Sequence, residues 1–180
     1  PGVVDAFVVK GNGNVRELLD GVAIVGTNTH AVFSAKNKLK VQWDETNASK
    51  DSWTKMVARA KSLHGERGSK EVIDKGNVNA AFNDADNTTL EAFYEYPFVA
   101  HLCMEPMNCT AHFRKGTDGA ADQLEMWVPT QAPGRAIGVA NSMFGLEAEQ
   151  VTVHQMRLGG SFGRRVYNEY VCEVIEISKR

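Results

Sequence analysis

The spacing of apolar and polar residues predicts small β and α elements over the first 45 residues. The segments VVDAFVV and GVAIVGT are typical of short strands, and NTHAVFSAKNKL has the periodicity of a helix that Asn28 or Thr29 would cap. The glycine-bearing segment GNGNVRELLDG predicts a turn with a short helical piece. The segment LKVQWDE alternates as a half-buried strand, which places Leu39, Val41 and Trp43 on one face.

The pattern changes over residues 46–87. The segment DSWTKMVARAKSLHG predicts a helix that Asp51 or Ser52 would cap and that ends near Gly65. The tract GERGSKEVIDKGNVNAAFNDAD is polar, carries glycines and shows few strong elements. This tract therefore predicts a connector between two domains.

From Thr88 onward the pattern favours strands, with two helices among them. The segments TTLEAFYEYPFVAHL, NCTAHFRKG, QLEMWVPTQ and EQVTVHQMR are each typical of a strand. The segment APGRAIGVANSMFGL predicts a helix with Pro133 in its first turn and Gly145 at its end. The last segment, NEYVCEVIEISKR, predicts a second helix.

Composition and charge exclude several classes of protein. The chain has 180 residues, of which 43% are hydrophobic and 23% charged, as in ordinary globular proteins. Its formal net charge of -2 argues against nucleic acid as a partner, because such binding needs a basic face. No apolar run approaches the ~20 residues of a transmembrane segment. Three cysteines without a CxxC pair argue against a disulfide framework and a zinc ribbon.

The glycine-rich segment LGGSFGRR is the first candidate site. It lies between a predicted strand and a predicted helix, where unpaired backbone N–H groups and the helix dipole favour an anion. Neither a Walker A motif nor a complete dinucleotide fingerprint occurs in the chain. Two interpretations stay open here, an anion site or a tight turn whose arginines point into solvent.

Two further segments carry candidate polar residues. Glu105 lies in the apolar segment MEPMN, and a buried carboxylate needs a partner or a proton. Pairing with an arginine or with backbone amides is one interpretation of Glu105, and a functional role is the other. Gln131, in PTQAPG, could be an ordinary helix-start residue or could donate its amide into a cleft at the end of a strand. The five histidines show no metal-ligand spacing, and no HExxH motif occurs.

Taken in order, three segments carry a resemblance to a known family. These are YEYPFVAHLCMEPMNCTAHF, LEMWVPTQAPG and VTVHQMRLGGSFGRRVYNEYVCEVIEISKR. They resemble the molybdopterin-binding large subunit of the xanthine dehydrogenase and aldehyde oxidase family, and within it the β subunits of isoquinoline 1-oxidoreductase-like enzymes. The segment GVAIVGTNTHAVFSAKNKLKVQWDE resembles the αβ hammerhead domain that precedes this region in the family.

The resemblance implies an α+β fold with a defined order of domains. Residues 1–45 would be the C-terminal part of the hammerhead domain, and residues 46–87 a connector with one helix. Residues 88–180 would be the N-terminal part of a molybdopterin-binding domain that has a mixed sheet and helices. Because subunits of this family are several times longer, the resemblance also implies that the chain is a piece of such a subunit.

The resemblance also implies roles for individual residues. Gln131 matches the glutamine that hydrogen-bonds an oxo ligand of molybdenum. Phe162 matches the aromatic residue that borders the substrate, and Val166 stands where the xanthine branch has a substrate-binding glutamate, which argues against a purine substrate. The positions assigned to cofactor binding are Gln131, Gly159, Gly160, Ser161, Phe162, Gly163, Arg164 and Arg165. No direct metal ligand is expected, and the family's general-base glutamate matches no residue of this chain.

The implied function is that of a molybdenum hydroxylase acting on N-heteroaromatic compounds or aldehydes with oxygen from water. Its cofactor would be molybdopterin in the cytosine dinucleotide form, and its electrons would pass to iron–sulphur clusters on a small partner subunit. The remainder of the same subunit is the other expected partner. The isolated chain is expected to lack cofactor and activity. A non-catalytic homologue or binding module that keeps the fold without the metal is the alternative, and a periplasmic and a cytoplasmic location both stay open.

Overall fold

The computed structural model describes residues 1–66 and 68–180 and contains two compact units. One unit combines Pro1–Val41 with Ala100–Arg180, and the other is Gln42–Val99. Each unit is described by itself below. In the described part of the chain, no helix combines the length and apolar character that crossing a membrane requires.

A small hairpin-like sheet and one helix form the N-terminal part of the first unit. Strand β1 (Val3–Val9) pairs with strand β2 (Gly21–Gly26) in antiparallel orientation. Helix α1 (Thr29–Lys38) follows directly. The side chain of Asn28 accepts a hydrogen bond from the backbone N–H of Ala31 at 2.9 Å, which confirms the predicted cap.

A three-stranded mixed sheet forms the rest of that unit. Its strands are β3 (Thr110–Arg114), β4 (Gln123–Val128) and β5 (Val151–Gln155), in the order β3-β4-β5. The pair β3–β4 is antiparallel and the pair β4–β5 is parallel. Because parallel strands need a crossover connection, the chain between β4 and β5 contains a helix, α4 (Pro133–Phe144). Gly145 ends this helix in the left-handed conformation.

Helix α4 and the last helix, α5 (Glu169–Lys179), pack against this sheet. The alternation along β4 buries every second side chain against the two helices. The buried apolar residues of this core are Leu124, Met126, Val128, Ala136, Ala140, Leu146, Val151, Tyr170, Val171 and Ile175. A second, smaller cluster joins the first sheet to α5 through Val9, Leu18, Ala23 and Cys172.

The second unit contains two helices among the described residues. Helix α2 (Trp53–Ser62) is capped by Ser52, whose hydroxyl accepts from the backbone N–H of Lys55 at 3.3 Å. Helix α3 (Val78–Asn83) lies in the polar tract, where the sequence predicts few strong elements. A side-chain cap explains this short helix, because Asn77 accepts from the backbone N–H of Ala80 at 3.0 Å.

The α+β class with a mixed sheet is confirmed, but three predicted elements are wrong. The segments LKVQWDE and TTLEAFYEYPFVAHL form no strand, because no described strand pairs with either of them. The segment GNGNVRELLDG contains no helix. There, the side chains of Asn12 and Asn14 accept from the backbone N–H groups of Asn14 and Arg16 at 3.0 Å each, which favours turns over a helix. The hammerhead assignment and the domain boundaries stay predictions.

Candidate functional site

The parallel pairing of β4 and β5 brings two loops together at one edge of the mixed sheet. Both strands end at this edge, so the segment Pro129–Gln131 after β4 lies beside the chain that leaves β5. The backbone N–H of Met156 donates to the carbonyl of Val128 at 3.0 Å and continues this pairing. The glycine loop, residues 158–163, follows and leads through a 3₁₀ turn at Arg164–Val166 to α5.

Positive φ angles give the glycine loop its shape. Gly160 has a φ of 104° and Gly163 a φ of 86°, values that glycine adopts without a steric penalty. Phe162 has a φ of 50°, which is uncommon for a residue with a side chain. The loop therefore holds its aromatic residue in a conformation that the local sequence alone does not favour.

Gln131 is hydrogen-bonded to the glycine loop through both its backbone and its side chain. Its Oε1 accepts from the backbone N–H of Gly163 at 3.1 Å, and its backbone N–H donates to the carbonyl of Arg165 at 3.1 Å. Because Oε1 is the end that accepts, the amide nitrogen Nε2 is the end turned away from the loop. No acceptor for Nε2 lies within hydrogen-bond distance among the described residues. The structure thus places two of the sequence-predicted site residues together and leaves one amide donor available.

Three consecutive backbone N–H groups of the loop have no acceptor within the described part of the chain. They belong to Gly160, Ser161 and Phe162. Successive N–H groups in a turn form a concave surface that binds anions and other acceptor oxygens. Phe162 itself is 71% exposed, and its ring centroid lies 6.1 Å from that of His101. The loop therefore presents amide donors beside an exposed aromatic ring.

Arg165 points into the protein and not into solvent. Its exposed fraction is 0%, and every nitrogen of its guanidinium group donates to a protein acceptor. Nε donates to the carbonyl of Gly160 at 3.1 Å, and Nη1 donates to the carbonyl of Pro129 at 3.0 Å. Nη2 lies 2.8 Å from Glu105 Oε2, 3.0 Å from the carbonyl oxygen of Glu105 and 3.2 Å from that of Pro106. Any effect of Arg165 on a ligand is consequently transmitted through these neighbours.

Glu105 completes this arrangement from a distant part of the sequence. Its Oε2 accepts from the backbone N–H of Gly159 at 2.8 Å as well as from Arg165, and its own N–H donates to the carbonyl of Gly159 at 3.3 Å. The Gly159 N–H, the Asn108 side chain and then the Arg165 charge hold the pKa of Glu105 below its ordinary value. The predicted pairing of Glu105 with an arginine and with a backbone amide is confirmed.

Arg164, the other arginine of the motif, has a different environment. Arg164 pairs with Glu169, the first residue of α5, and its side chain is 42% exposed. A carboxylate in the first turn of a helix interacts favourably with the helix dipole. Glu169 therefore offsets the cost of a cation at this helix start, and Arg164 is the arginine of the motif that solvent reaches.

Sequence reasoning missed the residues that join the two loops from beneath. Thr130 is fully buried, and its Oγ1 lies 3.1 Å from both the carbonyl of Arg165 and Oδ1 of Asn168. The same oxygen accepts from the backbone N–H of Ala132 at 3.0 Å. The sequence feature that could have indicated this role is the position of Thr130 directly before Gln131. A strand ends there, and polar side chains at strand ends satisfy backbone groups that no longer pair.

Comparison with known proteins places the site in context. The family model described as molybdopterin cofactor-binding domain matches residues 63–177, which is more than half of the chain. The chain is 32% identical over 167 residues to the isoquinoline 1-oxidoreductase subunit beta of Brevundimonas diminuta, a match that covers 88% of this chain and 20% of that protein.

Two further relatives have other activities in their names. The carbon monoxide dehydrogenase large chain of Hydrogenophaga pseudoflava is 25% identical over 191 residues, covering 95% of this chain and 23% of that protein. The xanthine dehydrogenase/oxidase of Rattus norvegicus is 27% identical over 143 residues, covering 79% of this chain and 10% of that protein. The chain thus spans at most about a quarter of the length of these relatives.

Proposed function

The chain belongs to the molybdopterin cofactor-binding domain family, and from this premise we propose that the whole protein is a molybdenum hydroxylase. Its proposed substrates are N-heteroaromatic compounds or aldehydes. The observation that carries the proposal is the contact between Gln131 and Gly163, which unites the end of β4 with the glycine loop. The chemistry that a bound molybdenum cofactor supplies is the two-electron oxidation of a carbon centre with oxygen taken from water.

The donor set at this edge of the sheet fits a group that is rich in acceptor oxygens. The Nε2 amide of Gln131 and the N–H groups of Gly160, Ser161 and Phe162 are all hydrogen-bond donors without a described protein acceptor. A neutral amide donor binds an oxo or phosphate oxygen without adding a buried charge. In the proposal, Gln131 binds and orients the metal end of the cofactor through Nε2.

The remaining site residues have supporting roles in the proposal. Phe162, which is exposed beside the donors, borders the substrate and helps to exclude water from it. Gly159 lets the loop backbone approach Glu105, and Gly163 supplies the positive φ that the loop needs at its end. Arg164 provides a partly exposed positive charge near the loop. Arg165 contributes through the protein atoms that it holds.

The proposal extends to parts of the enzyme that lie outside this chain. Residues 1–45 would belong to a hammerhead domain, and residues 88–180 would open the cofactor-binding domain. The cofactor would be the cytosine dinucleotide form of molybdopterin, and iron–sulphur clusters on a partner subunit would accept the electrons. The support for the domain order is the order of the matched segments, and the support for the cofactor form and the partner subunit is the similarity to the isoquinoline 1-oxidoreductase subunit beta.

The test uses the whole protein expressed in a host that makes the cofactor. Molybdenum and pterin are measured per mole of protein, and oxidation of a panel of N-heteroaromatic compounds and aldehydes is followed in ¹⁸O-labelled water. We expect both cofactor components to be present and the label to enter the product. Protein that folds but holds neither molybdenum nor pterin would instead identify a non-catalytic homologue. Cofactor without labelled product from any compound of the panel would contradict the proposed reaction.

A further inference from the structure

The buried guanidinium group of Arg165 donates to five acceptors on three separate chain segments, which is more than a tight turn requires. Removing a guanidinium group from water is costly unless its donors are satisfied. The acceptors belong to Glu105 and Pro106 on one segment, Pro129 on the second and Gly160 on the third. These segments are the chain before β3, the end of β4 and the glycine loop, so Arg165 joins all three.

We propose that Arg165, held by Glu105, is a positioning residue that fixes the glycine loop and Gln131 in the arrangement that receives the cofactor. That this arrangement receives the cofactor rests on the proposed function, whereas the fixing of the loop and Gln131 by Arg165 does not. Arg165 acts here through the backbone of Gly160 and Pro129 and makes no contact with the ligand itself.

The contacts of Arg165 reach both donor groups of the candidate site. The carbonyl of Gly160, which accepts from Nε, belongs to the first of the three loop residues whose N–H groups have no acceptor among the described residues. The carbonyl of Arg165 accepts from the backbone N–H of Gln131 and lies within hydrogen-bond distance of Thr130 Oγ1. Arg165 therefore holds the glycine loop through its side chain and holds Gln131 through its backbone carbonyl.

Glu105 supplies the negative charge that lets a guanidinium group occupy this position. It also holds the start of the loop, because its Oε2 accepts from Gly159 as well as from Arg165. The approach of the two chains is close. A Cβ atom built on Gly159 would lie 2.5 Å from the Cβ of Glu105, so only glycine fits there without a shift. Glu105, Gly159 and Arg165 are thus one connected unit, called here the loop clamp.

The geometry predicts which substitutions break the loop clamp. A lysine keeps the charge of Arg165, but its single ammonium group cannot reach acceptors on three segments as the planar guanidinium does. A glutamine at position 105 can place Oε1 where Glu105 has Oε2, because one oxygen accepts both hydrogen bonds. An alanine at position 105 removes both bonds.

The experiment compares Arg165→Lys with a matched control in the whole protein. The control is Arg157→Ala, since Arg157 is exposed and has no partner among the described residues. Hydrogen exchange is measured at the amides of Gly159, Gly163 and Gln131 and, as an internal reference, along β4. In Arg165→Lys we expect exchange at these three amides to be about tenfold faster or more, with β4 unchanged and molybdenum and pterin content reduced. In Arg157→Ala we expect no change in either measurement.

The pair Glu105→Gln and Glu105→Ala gives a second test that does not depend on Arg165→Lys folding. We expect Glu105→Gln to keep most of the loop protection and cofactor, and Glu105→Ala to lose both while β4 stays protected. A residue that only stabilises the fold would change β4 and the loop together. Equal exchange of the loop in wild type, Arg165→Lys and Glu105→Ala would overturn the proposal.

The two readouts separate this inference from the proposed function. If wild-type protein contains no molybdenum or pterin, the proposed function fails, while the exchange data still decide whether the loop clamp holds the loop. If wild type contains cofactor and Arg165→Lys and Glu105→Ala both retain it fully, the positioning role fails and the proposed function stands.

Discussion

The side-chain Oε1 of Gln131 accepts a hydrogen bond from the backbone N–H of Gly163 at 3.1 Å, across 32 positions of sequence. This contact decides the orientation of the Gln131 amide, because only the oxygen end can accept. The nitrogen end is then the donor that a ligand meets. The Gln131 amide therefore has its oxygen toward the loop and its nitrogen toward the ligand position, and a substitution of Gln131 can test this orientation.

Replacing Gln131 with glutamate should reduce cofactor content without changing the fold. A carboxylate keeps an acceptor for the Gly163 N–H but has no donor, and its charge repels acceptor oxygens of a ligand. We expect molybdenum and pterin per mole of whole protein to fall by about tenfold or more. Gln123→Glu is the matched control, because Gln123 is exposed at the start of β4, away from the loop. Equal cofactor content in the two variants would remove Gln131 from the site.

Replacing Gly159 with alanine should destabilise the packing of the glycine loop against Glu105. The new Cβ would lie 2.5 Å from the Cβ of Glu105 and 3.2 Å from its Oε2, so one of the two backbones must move. We expect a loss of about 1–3 kcal/mol in the free energy of unfolding, measured by urea denaturation of the chain.

Gly138→Ala is the control for this change. Gly138 lies inside α4, and a Cβ there meets no atom within 4 Å. Alanine is the better helix residue, so we expect this variant to be more stable by about 0.5–1 kcal/mol. If both alanine variants changed stability in the same direction, the close approach at Gly159 would not be the cause.

Elements with local signals were predictable from the sequence. Asn28 and Ser52 cap the helices that follow them, and Gly145 ends α4, because each needs only its immediate neighbours. The strands predicted at residues 39–45 and 88–102 do not form. Their alternation is real, but a strand also needs a partner, and the described residues supply none.

The candidate site shows the same division between local and distant information. The glycine pattern indicated a loop before α5, and the structure has it. The burial of Arg165 could not be read from its neighbours, because its charged partner Glu105 lies 60 positions earlier. From sequence the two arginines looked alike, whereas the structure buries one and pairs the other with Glu169.

The contribution of Glu105 to stability should depend on pH. Its pKa in the folded protein is lowered from the ordinary value of 4.5, first by the N–H of Gly159 and then by the Asn108 side chain and Arg165. A group with a lowered folded pKa stabilises the fold above its unfolded pKa, and this stabilisation is lost as pH falls through the folded pKa. We expect the difference in unfolding free energy between wild type and Glu105→Gln to be largest near neutral pH and to shrink as pH falls below 4.5. Urea denaturation at a series of pH values measures it, and a difference that stays constant with pH would contradict the assignment.

Truncating a buried side chain of the β4 core should lower the free energy of unfolding far more than truncating an exposed side chain near it. Met126 is completely buried on β4, in the core that the mixed sheet shares with α4 and α5, whereas Met156, just beyond β5, is 46% exposed. Truncating a buried methionine removes its packing and leaves a cavity that the core fills only in part. We expect Met126→Ala to lower the free energy of unfolding by about 2–5 kcal/mol, and Met156→Ala to change it by no more than about 0.5 kcal/mol. Urea denaturation followed by tryptophan fluorescence measures both variants, and Trp127, the neighbour of Met126 on β4, reports on this unit. Similar losses in the two variants would mean that the β4 core does not carry the stability that its burial indicates.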